Sequence, residues 1–537
     1  MLNFKLATIF ISLAEMSKSM ESSTGTVIDF TRVARTIRDY TGDIAQAYFT
    51  GILDRLPGIT PQAHILIKEY FETGKIKIYE DLKELYSEDL INFVRMSGLG
   101  KRRVFKIYDI LGLKNITDLK EAIENRSIVA RVLNSPEVES GFITAGHIER
   151  LIFSFNYFEK TRGMYPKGYV DFFIERIFGS ISSFKGVEKV QITGSLRRKK
   201  PFINDIDLLV LPDFNRERYD VLKSELLCRE FVNLDFIKQL VGINNRDETV
   251  NGQPGPFCSA RYTTVYGIDI EIIISSAKSW AFDLFSTTGS KPHVAAVMAL
   301  AKKRGLDISG FKTQGPGSDD SDSVIYEKLG IGHIEPELRE DNGEVELARK
   351  FLLPRLIEYS DIKGDMHVHS FWSDGLIEME DLLRKCKKYN YEYLAITDHS
   401  SSNKYGNGLD EKRMLEKLRY FNDFKKQIRE VRLLVGGEVD IRSAEKLDYE
   451  DDMLRRIDFV LASMHSNYLN SRAENTRRFV NAIKNRFVDA VAHPTGVVFG
   501  ARAPYDLEME QILESAAACD KALEINSYLL RLDLCEE

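Results

Sequence analysis

Three acids and a Gly-Ser turn define the chemistry this chain is equipped for. In the stretch GSLRRKKPFINDIDLLVL, residues 194–211, an apolar run ending at Ile192 predicts a strand. Thr193, Gly194 and Ser195 then predict a turn whose backbone amides and Ser195 hydroxyl face an anion, with Arg197 and Arg198 adding positive charge. The next strand puts Asp205 and Asp207 two residues apart and so on one sheet face, with Ile206, Leu208 and Val210 on the other. Adjacent carboxylates repel, and losing water adds to the cost, so the pair implies a divalent cation between them. A third carboxylate is expected from GIDIEIIIS: Asp269, with Glu271 on the same face as the alternative. Two cations about 3.5–4 Å apart would clamp the attacking and leaving oxygens of an in-line phosphoryl displacement, the chemistry of nucleotidyl transfer. A bare D-x-D is more often an ordinary strand with surface acids; the turn, the arginines and the second acidic strand favour the metal site.

A second constellation starts at Ile362, in GDMHVHSFWSDG, YLAITDHS, LLVGGEVDI, FVLASMHS and VDAVAHPTG. His367, His369, His399, Glu438, His465 and His493 each fall at the end of a predicted strand, and Asp374 can join them from a loop. Helical stretches separate these strands. Functional groups at strand C-termini in alternating strand and helix predict an α/β barrel whose rim gathers them. Imidazoles mixed with carboxylates suit Zn, Mn or Fe, and such a cluster makes hydroxide from bound water for phosphoester hydrolysis.

The elements that must position these groups fit in a chain of 537 residues, 43% hydrophobic and 29% charged, which reads as several soluble, globular domains. The net charge of -7 argues mildly against nucleic acid, but local basic surfaces set phosphate affinity. Five cysteines without C-x-x-C spacing read as reduced thiols in a cytoplasmic protein. The apolar start predicts an amphipathic helix through Leu6, Ile9, Phe10, Leu13 and Met16, neither a signal peptide nor a membrane span.

Near the N-terminus, LPGITPQAHILIKEYFETGK has the outline of a helix-hairpin-helix with Gly58 in its turn and Thr60 where a second glycine usually stands. MSGLGKRRVFKIYDILGL repeats it with Gly98, Gly100, Lys101, Arg102 and Arg103, and is the better candidate for holding a DNA backbone on turn amides and basic side chains. A solvated basic face on an ordinary helical turn is the plainer alternative. The polar stretch GPGSDDSDSV and the acidic IEPELREDNGEVELA are expected to be exposed and without chemistry.

GS-x-R-R followed by D-x-D and then I-D-I resembles the palm of a family X DNA polymerase, and the histidine pattern resembles the polymerase-and-histidinol-phosphatase (PHP) domain fused to many bacterial and archaeal members. The resemblance implies a multidomain α+β and α/β protein: a lyase-like helical domain at 1–90, fingers at 91–155, a nucleotidyltransferase palm at 156–275, a thumb at 276–345, a linker at 346–361 and a PHP α/β barrel at 362–537. It implies Mg (or Mn) on Asp205, Asp207 and Asp269, and dNTP contacts from Gly194, Ser195, Arg198, Arg162 and Gly289. It also implies Zn, Mn or Fe on His367, His369, Asp374, His399, Glu438, His465 and His493. Gapped or primer-template DNA and dNTPs would be the partners of a monomer that fills short gaps in base excision repair, with a 3′→5′ exonuclease or phosphoesterase beside it.

Several positions depart from the family pattern. Leu66 stands at the lyase lysine, with Lys68 and Lys75 nearby, so lyase activity by that route is expected to be weak or absent. Ser286 and Thr287 replace an aromatic pair, and Val294 and Met298 replace an asparagine and an arginine, so relaxed sugar choice is expected. The closing D-x-H strand of the barrel is not found before Glu537, so the barrel is expected to lack its last strand or strands and to hold metal incompletely. The rival readings are a phosphoesterase whose polymerase half serves as a DNA platform, and a scaffold with neither activity.

Overall fold

The computed structural model describes residues 2–17, 29–40, 44–56, 58–125, 131–214, 220–245, 258–308, 321–404, 406–429, 431–444 and 446–534. Residues 315–320 of the polar stretch, and Cys535, lie outside them. Two compact units result: Thr161–Leu356, and Leu2–Lys160 together with Ile357–Glu537.

Helix α1 (Leu2–Ser17) buries Leu6, Ile9, Phe10, Leu13 and Met16, the stripe that the spacing predicts. Helix α2 (Phe30–Asp39) is capped by Asp29, whose carboxylate accepts the Arg32 amide. Helix α3 (Pro61–Thr73) is capped by Thr60, whose hydroxyl accepts the Ala63 amide. Capping thus gives Thr60 a reason to stand at a glycine position. Helix α4 (Glu88–Ser97) ends on Gly98 with φ 72°, and α5 (Lys101–Leu111) starts after Gly100 with φ 77°, left-handed steps that turn the chain tightly between helices. With α6 (Ala145–Thr161) these helices share one hydrophobic core running from Leu6 to Phe158.

In the Thr161–Leu356 unit, strand β1 (Val187–Ile192) leads into the short helix α7 (Gly194–Arg197) and then β2 (Asp205–Pro212). Strands β3 (Ile237–Asn245), β4 (Cys258–Thr264) and β5 (Asp269–Ile274) complete a five-stranded sheet in the order β1-β2-β5-β4-β3. β2 and β5 run parallel with Asp205 opposite Asp269 and Asp207 opposite Glu271. The intervening Ile206, Leu208, Ile270 and Ile272 are fully buried, so alternation forces the acids onto the other face. Helices α8 (Trp280–Thr288) and α9 (Lys291–Lys303) follow. The acidic stretch after them is not the exposed segment expected from its composition. Arg339 and Glu344 are buried because each finds a partner: Arg339 pairs with Asp322 at 2.5 Å, and Glu344 lies 2.6 Å from His293 Nδ1 and accepts the Asp341 and Asn342 amides.

The remaining strands are β6 (Gly364–Val368), β7 (Tyr393–Ile396), β8 (Arg432–Ser443), β9 (Lys446–Leu447), β10 (Phe459–Ser463), β11 (Ala490–Val491) and β12 (Ala522–Leu523). Helices α10 (Glu411–Lys425) and α11 (Arg472–Lys484) lie among the crossovers. β6-β7-β8-β10-β11-β12 form a parallel sheet curled into a half-barrel, with β9 antiparallel on β8. Its outer strands, β6 and β12, do not pair with each other among the described residues. The helical segment packs on this half-barrel within the same unit. The Ala503 amide donates to Met96 O at 2.9 Å, Arg150 donates to Ala503 O at 2.9 Å and to Pro504 O, and Arg95 donates to Gly500 O.

Candidate functional site

Asp205, Asp207, Asp269 and Glu271 share one face of β2 and β5. Gly194, φ 64°, sits against Asp207 so closely that a Cβ would overlap the carboxylate; only glycine lets the turn approach this acid. Burial, with Asp205 and Glu271 beside it, lifts the Asp207 carboxyl to about 7. Burial likewise raises Asp205, against the pull of Arg261. Arg261, on β4, reaches Asp205 Oδ2 at 3.3 Å and Glu271 Oε2 at 3.8 Å. This cation is absent from the sequence reading, although its position beside Glu271 follows from the β4–β5 register.

Ser195 stands in the first turn of α7. Arg198 Nε donates to Glu340 at 2.7 Å and its Nη1 to Thr288 O at 2.5 Å, and a Cβ on Gly289 would lie 3.1 Å from that Nη1. Arg198 and Gly289 are therefore together; Arg162 is exposed in the turn after α6. Arg197 has a separate task, clamping Asp322 and Thr288. Thr287 bonds Thr193 at 2.7 Å, while Val294 and Met298 pack against the apolar core around α9.

Gly58 packs on the Arg32 side chain of α2, and Gly98 lies against Tyr468, 3.3 Å from where its Cβ would be. Lys101 lies over the Tyr86 and Phe105 rings, and Arg103 donates to Phe142 O at 3.2 Å. Arg102 is the exposed member of the basic run. Leu66 packs against the helical core.

The half-barrel gathers all seven rim residues singled out in the sequence. His369, His399, His465 and His493 lie just past β6, β7, β10 and β11, and His367 is the next-to-last residue of β6. Glu438 is not at a strand end as expected; it lies within β8, which continues to pair with β9 after its parallel neighbour β7 has stopped. Five imidazoles surround this one carboxylate: His399 Nδ1 at 2.6 Å, His493 Nε2 at 3.0 Å, His465 Nε2 at 3.2 Å, His369 Nε2 at 3.4 Å and His367 Nε2 at 3.5 Å. Asp374 takes His369 Nδ1 at 2.8 Å and stands 3.6 Å from His399.

Neighbours missed by the sequence reading orient these ligands. Glu524, just past β12, accepts from His367 Nδ1 at 2.6 Å and from the His493 amide at 2.5 Å. Asp440 holds His465 Nδ1 at 3.2 Å. Asp398, paired with buried Lys417 at 2.9 Å, accepts from Ser370 and Ser373 in the loop that carries His369 and Asp374. Glu524 ends an apolar pair as the other rim residues do, so the same pattern could have found it.

Burial disfavours charge on His367, His369, His465 and His493, but Glu438 and Glu524 overcome it at His367, held up at about 10. Burial and His399 push His369 down to about 4, and burial and Arg531 push His493 to about 3. Burial works against ionised Glu438, yet His399, His465 and His367 hold it well below the usual carboxylate range.

The residues present fit metal ions. His493 Nδ1 is buried with no hydrogen-bond partner among the described residues, and His369 Nε2 and Glu438 Oε2 face each other at 3.4 Å without hydrogen-bond geometry, which is costly for buried polar atoms unless a metal takes their lone pairs. Three overlapping groups have ligand atoms within 4.8 Å of one another: His367, His369 and Glu438; His369, Asp374 and His399; His399, Glu438 and His465.

The PHP domain family matches residues 365–528, the whole half-barrel from β6 past β12. The DNA polymerase/3'-5' exonuclease PolX of Bacillus subtilis (strain 168) is 32% identical over 487 residues, 90% of this chain and 80% of its own. This chain belongs to the PolX family of DNA polymerases. Probable phosphatases of Acetivibrio thermocellus and Caldanaerobacter subterraneus subsp. tengcongensis are 29% and 28% identical over 171 residues, about 30% of this chain, which spans 65% and 61% of their lengths. The PolX likeness covers 90% of the chain and so reaches well beyond the residues of the PHP match. No described helix is long and apolar enough to cross a membrane.

Proposed function

We infer that this PolX protein is a template-directed DNA polymerase that fills short gaps in DNA repair and carries a PHP-type 3′→5′ exonuclease or phosphoesterase on its histidine rim. The observation that carries the polymerase half is the register of β2 on β5, which sets Asp205, Asp207 and Asp269 on one face beside the Gly194 turn. These three acids would hold Mg or Mn, which would supply positive charge for the attack of the primer 3′-hydroxyl and the departure of pyrophosphate. Ser195 and Arg198 bind the triphosphate, and Gly289 leaves room for the Arg198 guanidinium. Arg261 keeps Asp205 and Glu271 paired before substrate arrives.

On the rim, His367, His369, Asp374, His399, Glu438, His465 and His493 would hold Zn, Mn or Fe, whose Lewis acidity would serve phosphoester hydrolysis. Glu524 orients His367, and Asp440 orients His465. Gapped or primer-template DNA and dNTPs are the substrates of a cytoplasmic monomer. Gly58, Gly98, Gly100, Lys101, Arg102 and Arg103 hold the DNA backbone.

The deciding experiment is extension of a primer across a one-nucleotide gap by wild type, Asp205→Ala and His367→Ala. Extension by wild type and His367→Ala, with none by Asp205→Ala, supports the reading. If none extends but wild type shortens the primer and His367→Ala does not, the protein is a phosphoesterase on a DNA-binding platform.

A further inference from the structure

Arg35 and Asp374 form an ion pair although 339 residues separate them. Helix α2 carries Arg32, Arg35 and Arg38 at three-residue spacing and turns Val33, Ala34 and Ile37 into the helical core. Arg35 and Arg38 are neighbours on one of its faces, and that face meets the half-barrel. Arg38 lies over the Tyr528 ring, 5.8 Å from its centroid. Asp374 stands between Arg35 and the rim, with Oδ1 on His369 and Oδ2 toward His399. One carboxylate therefore separates the guanidinium from two metal-ligating imidazoles.

Charge limits what such an arginine is for. Asp374, Glu438, Asp440 and Glu524 bring four negative charges to the rim, which two divalent cations cancel; a third, for which the three overlapping ligand groups leave room, makes the site positive. A guanidinium held there is repelled unless an anion arrives with it. Arginine's planar fork of donors matches phosphate oxygens two at a time, and the Arg35 side chain keeps 35% of its surface exposed, enough to turn from a carboxylate to a guest.

We propose that Arg35 is the phosphate clamp of the histidine rim: with metal bound, its donors pass from Asp374 to the non-bridging oxygens of the substrate phosphate. A helix outside the PHP match thereby completes the phosphoester site. The assignment rests on the phosphoesterase reading of the rim.

The test is calorimetric titration of inorganic phosphate into the full-length protein loaded with Mn, with metal content and thermal melting measured on the same samples. Arg35→Gln is expected to weaken phosphate binding about tenfold or more at unchanged metal content, and Arg35→Lys, which keeps charge but loses the fork, to weaken it about threefold. Arg38→Gln is expected to bind as wild type does. Unchanged phosphate affinity in Arg35→Gln overturns the proposal. Tighter binding makes Arg35 a plug, and loss of metal makes it a positioning group for Asp374; each also overturns it. If Arg35→Gln does not melt cooperatively, Arg35→Lys decides, and wild-type affinity there overturns the clamp. Wild type that holds Mn but binds no phosphate removes the phosphoesterase reading itself.

Discussion

The acid face of the five-stranded sheet and the histidine rim both suit cations, yet their charges are arranged in opposite senses. On the sheet, like charges crowd: Asp207 is held up at about 7 by burial and by Asp205 and Glu271, and Arg261 is the cation that relieves them. On the rim, unlike groups interleave, so Glu438 stays ionised among five imidazoles and His367 stays charged between Glu438 and Glu524. The acid face is therefore under electrostatic stress that a bound cation would remove. The rim is largely paired internally, so a metal binding there would have to displace protons.

The sharpest break of this comparison is a pair of ligand deletions. Asp205→Ala should lower primer extension by about a thousandfold or more while leaving 3′-end shortening intact, and Glu438→Ala should do the reverse; measuring both reactions on one labelled primer exposes any crossover. A smaller effect is expected from Gly194→Ala, since a methyl group must push into Asp207 at a left-handed φ. Extension should fall about a hundredfold with the rim activity unchanged.

Next comes the pH dependence of the metal-free protein. Asp207 binds its proton more tightly folded than unfolded, so the stability it contributes is complete below about pH 4 and is lost as pH rises through about 7. Asp207→Asn should flatten that part of the melting-temperature profile, and Mg should flatten it in wild type. A wild-type profile rising over this range would remove the account of stress on the acid face. The mildest change is Glu524→Gln, which keeps the shape but weakens the hold on His367; metal affinity of the rim by competition with a chelator should drop about tenfold.

Legibility followed the distance over which each feature is encoded. Asp205 and Asp207 declare their shared face within three residues, and the rim histidines follow short apolar runs that mark strand ends. Glu438 lies inside its strand because β8 outlasts β7, carried on by pairing with β10 through Asp440 and then with β9, a length invisible in the run LLVGGEVDI itself. Arg261 escaped notice because its role arises from strand register, not from its own surroundings in sequence. Arg339 and Glu344 read as solvated charges since their partners, Asp322 and His293, lie in other segments. Arg35 offered no signal, as nothing near it in the chain points to Asp374.

The helical segment and the half-barrel form one unit built from the two ends of the chain, with residues 161–356 between them. On the ribosome the helices emerge first and can collapse on their own core, yet the carbonyls that accept from Arg150 follow more than 350 residues later. At about 5–20 residues per second that wait lasts roughly twenty seconds to a minute. During it the face around Arg95 and Arg150 is uncovered, so the half-synthesised protein presents to chaperones a surface that the finished one hides.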